Sequence, residues 1–501
     1  MNAWLVLILT LSLLTTRVAQ DAEPTAEPES AQQEAPPPPP PPDCSKSLQS
    51  LIDAAPAGSV VDVPACIYHE IVTINKPLTI DGHGQAQIRG SDVWTTWSAS
   101  GGSYVSNLTV PVFNLDHGGV CADGSGRCNW PEQVYVDGAP LSELSSGSVP
   151  GPNQFSLDKA RHVMLHDDPT GHIVEVTTRE RWVDTQADNV TIQGMTFWHA
   201  ANAAETGAIG NQNRNGWTLQ DSKLYSAHGG IVSLGGASNP NTQTRVLRNV
   251  IAGSGYEAID GFRNNNTLIQ GNTIYNNNLS GFDSVNWAGA GVKVVAFTNL
   301  TIDANEVRNN AGPGLWCDIG CQGVTFSNNR VHDNGGAGIL FEISAGAKIY
   351  NNAIWDCSPT APGINISSSA NADVYSNVLA WNNLGIAVFS EDRANRPGQG
   401  TVGITVHDNT ILANGQSALS LQWFQRGSGN LFESGSSNWG GSNAFWFPGD
   451  EDGSGRFRWQ RYISSLNDFK QTPSGGGSRY LSLQERDQVL AGWGIPKPGN
   501  G

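Results

Sequence analysis

The 501-residue sequence is short of charge, above all of positive charge, and after its first twenty residues it has no long apolar run. Charged residues make up 15% of the chain, with 28 Lys and Arg against 45 Asp and Glu and a net charge of −17. Binding to nucleic-acid phosphates needs clustered Lys and Arg, so we expect no nucleic-acid partner. A membrane-spanning helix needs about 20 apolar residues, so we expect no membrane span. A strongly anionic polysaccharide is a poor ligand for so acidic a chain unless metal ions bridge the two.

The first 43 residues differ in composition from the rest of the chain. Residues 1–20 contain the apolar run Leu5 to Leu14 followed by polar residues, which is typical of a secretory signal peptide. Residues 21–43 are rich in Glu, Ala, Gln and Pro and end in seven consecutive prolines, which predicts a disordered linker in an extended conformation. We therefore predict a secreted, extracellular protein, with an uncleaved membrane anchor as the alternative.

The chain has seven cysteines, and in an exported protein this number indicates disulfides with one cysteine left over. Spacing along the chain favours the pairs Cys44–Cys66, Cys121–Cys128 and Cys317–Cys321, which leaves Cys357 free. Pairing of Cys317 or Cys321 with Cys357 is an open alternative. The C-x-x-x-C spacing with no histidine close by argues against a zinc site.

An internal repeat is the most informative feature of the sequence. It reads Val/Ile-x-x-x-Asn-x-Val/Ile, then Asn-Asn or Asp-Asn, then Gly-hydrophobic, and repeats of 20 to 50 residues indicate a solenoid. Its anchor asparagines are Asn249, Asn272, Asn305, Asn329, Asn352, Asn377 and Asn409. Alternating apolar residues predict short strands, and asparagines at one position in successive coils predict a hydrogen-bonded ladder. We therefore predict an all-β fold, a right-handed parallel β-helix with a small β-rich insert and capped ends.

Caps are expected because the open end of a solenoid exposes strand edges. We predict an N-terminal cap and first coils over 44–90, with a short helix from Ser47 to Ala55. A β-rich insert follows over 91–182. The β-helix itself spans 183–430, with Gly194 and Ser222 at the anchor position of two less regular coils. A C-terminal capping extension covers 431–501, with a helix over Ser482 to Leu490 at the other end. We expect a monomer.

Adjacent coils place acidic residues side by side. When Gly314–Ile319 is aligned with Gly338–Ile343, alternation directs Asp318 and Glu342 to the outer face, with Trp316 beside them. Neighbouring coils are about 4.8 Å apart, so the two carboxyl groups are expected within roughly 5 to 6 Å. Like charges that close do not both ionise easily, which predicts one ionised and one protonated carboxyl. That is the arrangement of a retaining glycosidase.

Further candidates surround this pair. Lys293 joins the same face, although an inserted loop leaves its offset undetermined. That loop, Asn276 to Gly291, offers Asp283 and Trp287 above the face, and Trp287 and Trp316 are candidate sugar platforms. Glu257 or Asp260, with only one of them outward, completes the substrate-binding set. We predict no resident metal; a Ca²⁺ site at the carboxylates and a solvent-exposed charge ladder without function are alternatives.

Four segments carry a family resemblance: Glu132-Gln-Val-Tyr-Val-Asp-Gly, His166-Asp-Asp-Pro-Thr-Gly, Gly314-Leu-Trp-Cys-Asp-Ile and Gly338-Ile-Leu-Phe-Glu-Ile-Ser. Together they resemble secreted β-helix carbohydrate-active proteins. Within the β-helix glycoside hydrolases, the arrangement is similar to a β-xylosidase family with an Asp nucleophile and a Glu acid/base on successive coils. The resemblance implies Asp318 as nucleophile and Glu342 as acid/base, acting on a polysaccharide or oligosaccharide.

Two other functions remain open at this stage. A polysaccharide lyase or epimerase would use Lys293 to take the proton next to a uronate carboxylate, with Ca²⁺ neutralising that carboxylate. A non-catalytic glycan-binding solenoid or adhesin would fit the proline-rich segment, since a fold alone specifies no function.

Overall fold

The computed structural model describes residues 42–113, 121–122, 124–235, 241–391, 400–413, 418–427, 429–449, 451–453 and 455–497. The proposed signal peptide and the linker up to residue 41 lie outside these ranges. Within them, no helix has both the length and the apolar character needed to cross a membrane.

The chain from residue 60 winds into coils, and a typical coil contributes one strand to each of three long parallel sheets. The prediction of a right-handed parallel β-helix is confirmed. The first sheet contains Val60–Asp62, Thr79–Asp81, Thr191–Gln193, Thr218–Gln220, Asn241–Thr242, Arg245–Leu247, Asn264–Gln270, Thr298–Asp303, Gln322–Ser327, Ala345–Tyr350, Ala370–Tyr375, Thr405–His407 and Trp439–Gly441. The second sheet contains Ile67–Tyr68, Gln87–Arg89, Thr196–Ala200, Lys223–Ala227, Val250–Ala252, Thr273–Tyr275, Glu306–Arg308, Arg330–His332, Ala353–Trp355, Val378–Ala380, Thr410–Leu412, Ala444–Trp446 and Arg479–Tyr480. The third sheet contains Gly207–Gly210, Gly230–Gly235, Ile259–Phe262, Val292–Val295, Leu315–Asp318, Ile339–Glu342, Pro362–Ser367, Leu384–Glu391, Leu419–Arg426, Phe457–Trp459 and Arg461–Ile463, the last of these antiparallel.

The predicted asparagine ladder is present and buried in the bend between the first and second sheets. Asn329 is typical: its side-chain nitrogen donates to Asn352 Oδ1 at 3.0 Å, and its own Oδ1 accepts from the backbone nitrogen of Asn305 at 3.0 Å. Each anchor thereby links the coil before it to the coil after it, and the repeat keeps its register from coil to coil.

One anchor differs from the prediction. On the coil before Ser222, the anchor position is occupied by Met195 and not by Gly194, and the Met195 backbone nitrogen donates to Ser222 Oγ at 3.2 Å. The register of the preceding strands explains this difference. Gln193 pairs with Gln220, so Met195 and Ser222, each two residues later, are aligned.

The N-terminal cap contains the predicted helix, α1, over Leu48–Ala54. Ser47 caps it by accepting a hydrogen bond from the backbone nitrogen of Ser50. Leu48 and Ile52 are fully buried in the solenoid core, so α1 closes the first coil.

Between the first coils and the rest of the solenoid, the chain forms two small sheets with a core of their own. A four-stranded antiparallel sheet contains Ser91–Val93, Val134–Val136, Ala139–Pro140 and Val174–Thr177. A five-stranded, mostly antiparallel sheet contains Trp97–Ser100, Ser103–Thr109, Ser142–Glu143, Gln154–Leu157 and His162–Leu165. A 3₁₀ helix covers Arg127–Asn129. The chain then rejoins the coils, where Val183–Thr185 pairs in parallel with Val72–Ile74.

The C-terminal part differs from the prediction of a separate capping extension from residue 431. Coils continue beyond that point, and Asn443 extends the ladder by accepting from Asn409 Nδ2 at 3.1 Å. The end of the core is closed by α2, Leu466–Phe469, where the Phe469 ring stacks on Phe457 with centroids 4.5 Å apart.

The last helix, α3, spans Leu483–Trp493 and lies on the flank of the second sheet instead of covering the end. Its Leu490 packs in a cluster with Trp381 and Leu412, on the outer side of that sheet. Apolar residues on the outside of these coils therefore explain where the helix docks.

The three locally spaced disulfides, Cys44–Cys66, Cys121–Cys128 and Cys317–Cys321, are all formed. Cys357 is free and buried. Its backbone nitrogen donates to Asn382 Oδ1 at 3.0 Å, so it occupies a position in a second polar ladder.

Candidate active site

The third sheet brings the predicted residues onto one face. Lys293 pairs in register with Asp260 on one side and with Trp316 on the other. Cys317 pairs with Phe341, so the next positions, Asp318 and Glu342, are neighbours on adjacent coils. The offset of Lys293, which the sequence left undetermined, is therefore settled: Lys293 lies opposite Trp316, and Val295 lies opposite Asp318.

Asp318 and Lys293 form an ion pair that is largely removed from solvent. Lys293 Nζ lies 3.4 Å from Asp318 Oδ2, and the two side chains are 11% and 8% exposed. The same ammonium donates to the backbone oxygen of Trp287 and lies 4.0 Å from the centre of the Trp316 ring. A cation at this distance stabilises the ionised form of a carboxyl group. The pair is thus unlike the exposed charge ladder that was the alternative reading of these residues.

Glu342 has a different environment from Asp318. It is partly exposed, and its Oε1 accepts a hydrogen bond from Ser367 Oγ on the following coil at 3.3 Å. Asp318 faces an ammonium, whereas this oxygen of Glu342 faces a neutral hydroxyl. Two adjacent carboxyl groups in unequal surroundings are the arrangement in which one serves as a base or nucleophile and the other as an acid.

Each of these carboxylates ends its strand and is followed by an isoleucine in the left-handed backbone region. The φ angles are 39° for Ile319 and 46° for Ile343. A β-branched side chain is strained there, at a cost of about 1–2 kcal/mol. The coil geometry requires this turn, because Ser368 at the equivalent position of the next coil also has a φ of 46°.

A disulfide crosses the turn after Asp318. Cys317 precedes Asp318, and its partner Cys321 follows three residues later, both fully buried. The next coil makes a turn that is one residue shorter, in which Ser344 lies opposite Cys321, and the backbone nitrogen of Cys321 donates to Ser344 Oγ at 3.1 Å. The disulfide restrains the backbone on both sides of Asp318.

Beside Lys293 lies a cleft with a volume of about 580 Å³. Its polar and aromatic lining residues include Glu205, Ser233, Glu257, Asp260, Trp287 and Lys293. Trp287 is 66% exposed and projects from the 276–291 loop, as predicted for a sugar platform, and its Nε1 donates to Glu205 Oε1 at 3.1 Å. Glu205 was not predicted, because it lies in a turn where the repeat gives no signal.

Two site predictions require correction. Trp316 is only 3% exposed and the Lys293 ammonium lies over its ring, so it offers no open platform to a sugar. It points outward as predicted, but a long side chain from the neighbouring coil covers it. Glu257 and Asp260 both line the cleft, where only one was expected. Glu257 precedes the strand that begins at Ile259, so strand alternation does not apply to it.

Three carboxyl groups at this end of the face have raised pKa values. Burial raises the pKa of Asp260 to about 7, and Ser233 Oγ donates to its Oδ1 at 2.5 Å. Burial also raises the pKa of Asp283 to about 6, with a further contribution from the negative charge of Glu205. Burial and then the charges of Asp260 and Asp283 raise the pKa of Glu257 well above its usual value. Carboxyl groups with strongly shifted pKa values in a cleft mark a candidate functional site.

The residues that the structure describes include no group of three or more His, Cys, Asp or Glu side chains placed to hold a metal ion.

A protein-family model described as "Right handed beta helix region" matches residues 206–379 and 320–447. A comparison with curated protein sequences finds no match. Among solved structures, the chain is similar to "The complex structure of XylC with xylose", with 18% identity, 80% coverage of each chain and a TM-score of 0.63. It is also similar to the Azotobacter vinelandii mannuronan C-5 epimerase AlgE6 A-module, with 13% identity, coverage of 87% of this chain and 94% of that chain, and a TM-score of 0.46. The matched β-helix region and the similarity to the XylC structure agree with the right-handed parallel β-helix described above.

Proposed function

We propose that the protein is a secreted carbohydrate-active enzyme, a retaining glycoside hydrolase that acts on a polysaccharide or oligosaccharide. The observation that carries the proposal is the position of Asp318 and Glu342 on adjacent coils, each one residue after the paired Cys317 and Phe341, with Lys293 Nζ 3.4 Å from Asp318. XylC, which shares this fold and whose structure contains xylose, indicates that a saccharide is a ligand that the fold can hold. Three disulfides support export, because such bonds persist in oxidising compartments.

Each carboxyl group has a role that its surroundings favour. Asp318, paired with Lys293, attacks the anomeric carbon of the sugar and forms a glycosyl ester. Glu342, in its protonated form, donates a proton to the departing glycosidic oxygen as that bond breaks. Glu342 then takes a proton from a water molecule, which attacks the ester and releases the sugar with its original anomeric configuration. Trp287, on the rim of the cleft, stacks against a sugar ring.

The charge of the cleft favours hydrolysis over lyase chemistry. A lyase or epimerase needs positive charge to neutralise the uronate carboxylate. In this cleft Glu205, Glu257 and Asp260 surround Lys293, which is already paired with Asp318. A uronate would therefore meet repulsion from several carboxyl groups.

The first experiment incubates the purified protein with neutral and uronate-containing glycans. A hydrolase gives new reducing ends without absorbance near 235 nm, and NMR of the first product detects the retained anomer. Absorbance near 235 nm would show a lyase instead. No product from any glycan would favour a non-catalytic glycan-binding protein.

The second experiment replaces each carboxylate by its isosteric amide. We expect Asp318→Asn and Glu342→Gln each to lower kcat by at least about 10³-fold while circular dichroism and thermal unfolding stay close to wild type, because each removes a group that acts in the transition state. The matched control is Glu306→Gln, which changes a carboxylate on the second sheet, where Glu306 accepts from Arg330 and from His332. Full activity in either site variant would show that the assignment is wrong.

A further inference from the structure

The carboxyl cluster formed by Glu257, Asp260 and Asp283 is not used by the proposed hydrolysis. It lies on the side of Lys293 away from Asp318 and Glu342, since Lys293 pairs with Asp260 on the preceding coil and with Trp316 on the following coil. Glu257 and Asp260 line the cleft directly. Asp283 comes from the 276–291 loop and its charge contributes to the raised pKa of Glu257.

One oxygen of each of these three carboxyl groups lacks a hydrogen-bond partner among the described residues. These oxygens are Glu257 Oε2, Asp260 Oδ2 and Asp283 Oδ2, all inaccessible to solvent. Glu257 is only 3% exposed and Asp283 only 5%. A buried polar atom left without a partner costs about 1–3 kcal/mol, so rotation of these carboxyl groups toward a ligand that supplies hydrogen-bond donors recovers this free energy.

The charge balance indicates what kind of donor fits. Among the described residues that line the cleft, Lys293 carries the only positive charge, and its ammonium is engaged by Asp318 and by the Trp287 backbone oxygen. The carboxyl groups of Glu205, Glu257 and Asp260 are thus in excess. An anionic ligand is repelled, and a neutral hydroxyl satisfies an oxygen without balancing the charge.

We propose that this end of the cleft is a subsite for the ammonium group of an amino sugar, which rests on the proposed function in that the sugar is a unit of the glycan substrate. A primary ammonium offers three N–H donors and one positive charge to an unsatisfied carboxyl cluster. The exposed ring of Trp287 lies on the same rim and stacks on the sugar or on its cationic substituent.

Binding of a cation here is linked to proton release. The ionisable groups that face Glu257 are Asp260, Asp283 and Lys293, and Glu205 acts on Asp260 and Asp283. The pKa values of Asp260 and Asp283 are raised to about 7 and about 6, so at pH 6 much of the cluster is protonated. An ammonium stabilises the ionised forms and displaces protons, whereas a neutral sugar displaces none.

The test uses the Glu342→Gln variant, in which binding is measured without turnover and the Lys293–Asp318 ion pair is kept. Calorimetric titration compares the β-1,4-linked glucosamine disaccharide with its N-acetylated form and with cellobiose, at low salt. We expect the glucosamine disaccharide to bind at least tenfold more tightly than either neutral probe at pH 7.5. At pH 6, titration in MES and in phosphate, which differ in ionisation enthalpy, is expected to show release of about half to one proton with the amino sugar and none with cellobiose.

Isosteric variants locate the effect. Glu257→Gln and, independently, Asp260→Asn in the same background are each expected to reduce the preference for the amino sugar to less than threefold, while Asp221→Asn on an exposed turn leaves it unchanged. Equal affinity for all three disaccharides, or a preference that survives both substitutions, would overturn the proposal. Hydrolysis of neutral glycans by the wild type together with no amino-sugar preference would refute this subsite alone, and amino-sugar binding without any hydrolysis would refute the hydrolase alone.

Discussion

Removal of one ladder asparagine gives a quantitative test of how the solenoid is held together. In Asn329→Ala, the side-chain nitrogen no longer donates to Ile302 O at 2.9 Å or to Asn352 Oδ1 at 3.0 Å. The side-chain oxygen no longer accepts from the backbone nitrogen and the Nδ2 of Asn305, both at 3.0 Å. Each lost hydrogen bond is worth about 1 kcal/mol, and the orphaned Asn305 backbone N–H adds about 1–2 kcal/mol. We therefore expect the free energy of unfolding to fall by about 5–6 kcal/mol.

Urea denaturation followed by tryptophan fluorescence and circular dichroism measures this change. Asn329→Ser serves as an intermediate variant, because Ser222 already acts as an acceptor in the ladder for Met195, and we expect it to lose about 2 kcal/mol. The control, Asn383→Ala, removes one exposed hydrogen bond to the Pro359 oxygen and is expected to cost under about 1 kcal/mol. A loss for Asn329→Ala no larger than that of the control would refute the view that the ladder stabilises the coils.

Three further predictions concern the site face. The double variant Cys317→Ala/Cys321→Ser is expected to lose about 2 kcal/mol of stability, the value for opening so short a loop, and unchanged thermal unfolding would contradict this. Asp260 has a pKa of about 7 in the folded protein, whereas the unfolded chain loses this proton near pH 4. The wild type therefore loses stability as the pH rises from about 4 to about 7, and Asp260→Asn does not. We expect the variant to become progressively more stable than the wild type over this range, with no further gain above pH 7. Thermal unfolding across this pH range measures that gain, with Asp221→Asn as a control that lacks it. Trp287→Ala is expected to raise KM about tenfold with kcat within about twofold, since a stacked ring contributes about 1–1.5 kcal/mol; an unchanged KM would show that the ring is not a platform.

The sequence predicts the solenoid well because one asparagine in each coil marks the period of the repeat. An asparagine at one position of each coil bonds to the equivalent asparagines of the coils before and after it, so spacing alone identifies the ladder. The pattern was missed after residue 430 because aromatic residues replace Val and Ile around Asn443. Phe445 follows that asparagine two positions later, where the repeat has Val or Ile, and it is fully buried in the core. An apolar class that includes aromatics would have extended the repeat by one coil.

Exposure on the outer face could not be predicted in the same way. Alternation fixes that Trp316 and Asp318 point away from the core, but their burial depends on Lys293 from the preceding coil. The length of a lysine side chain and the course of the 276–291 loop decide what is covered. Neither the length of a lysine side chain nor the course of a loop leaves a periodic signal in the sequence. A residue predicted to point outward on this fold is therefore a candidate for function, but its exposure to solvent does not follow from the repeat.

The residues of the candidate site fall into two groups with different origins. Asp318 and Glu342 end adjacent parallel strands, one residue after the paired Cys317 and Phe341, so the register of the coils sets their separation. Glu205, Glu257 and Asp283 lie in turns, where alternation gives no information and insertions are tolerated. The strand positions therefore suit a reaction that needs a constant distance between two carboxyl groups, and the turn positions suit recognition of a particular sugar. Sequence reasoning found the first group by its register and only part of the second, so the chemistry of the substrate must be read from the turns in three dimensions.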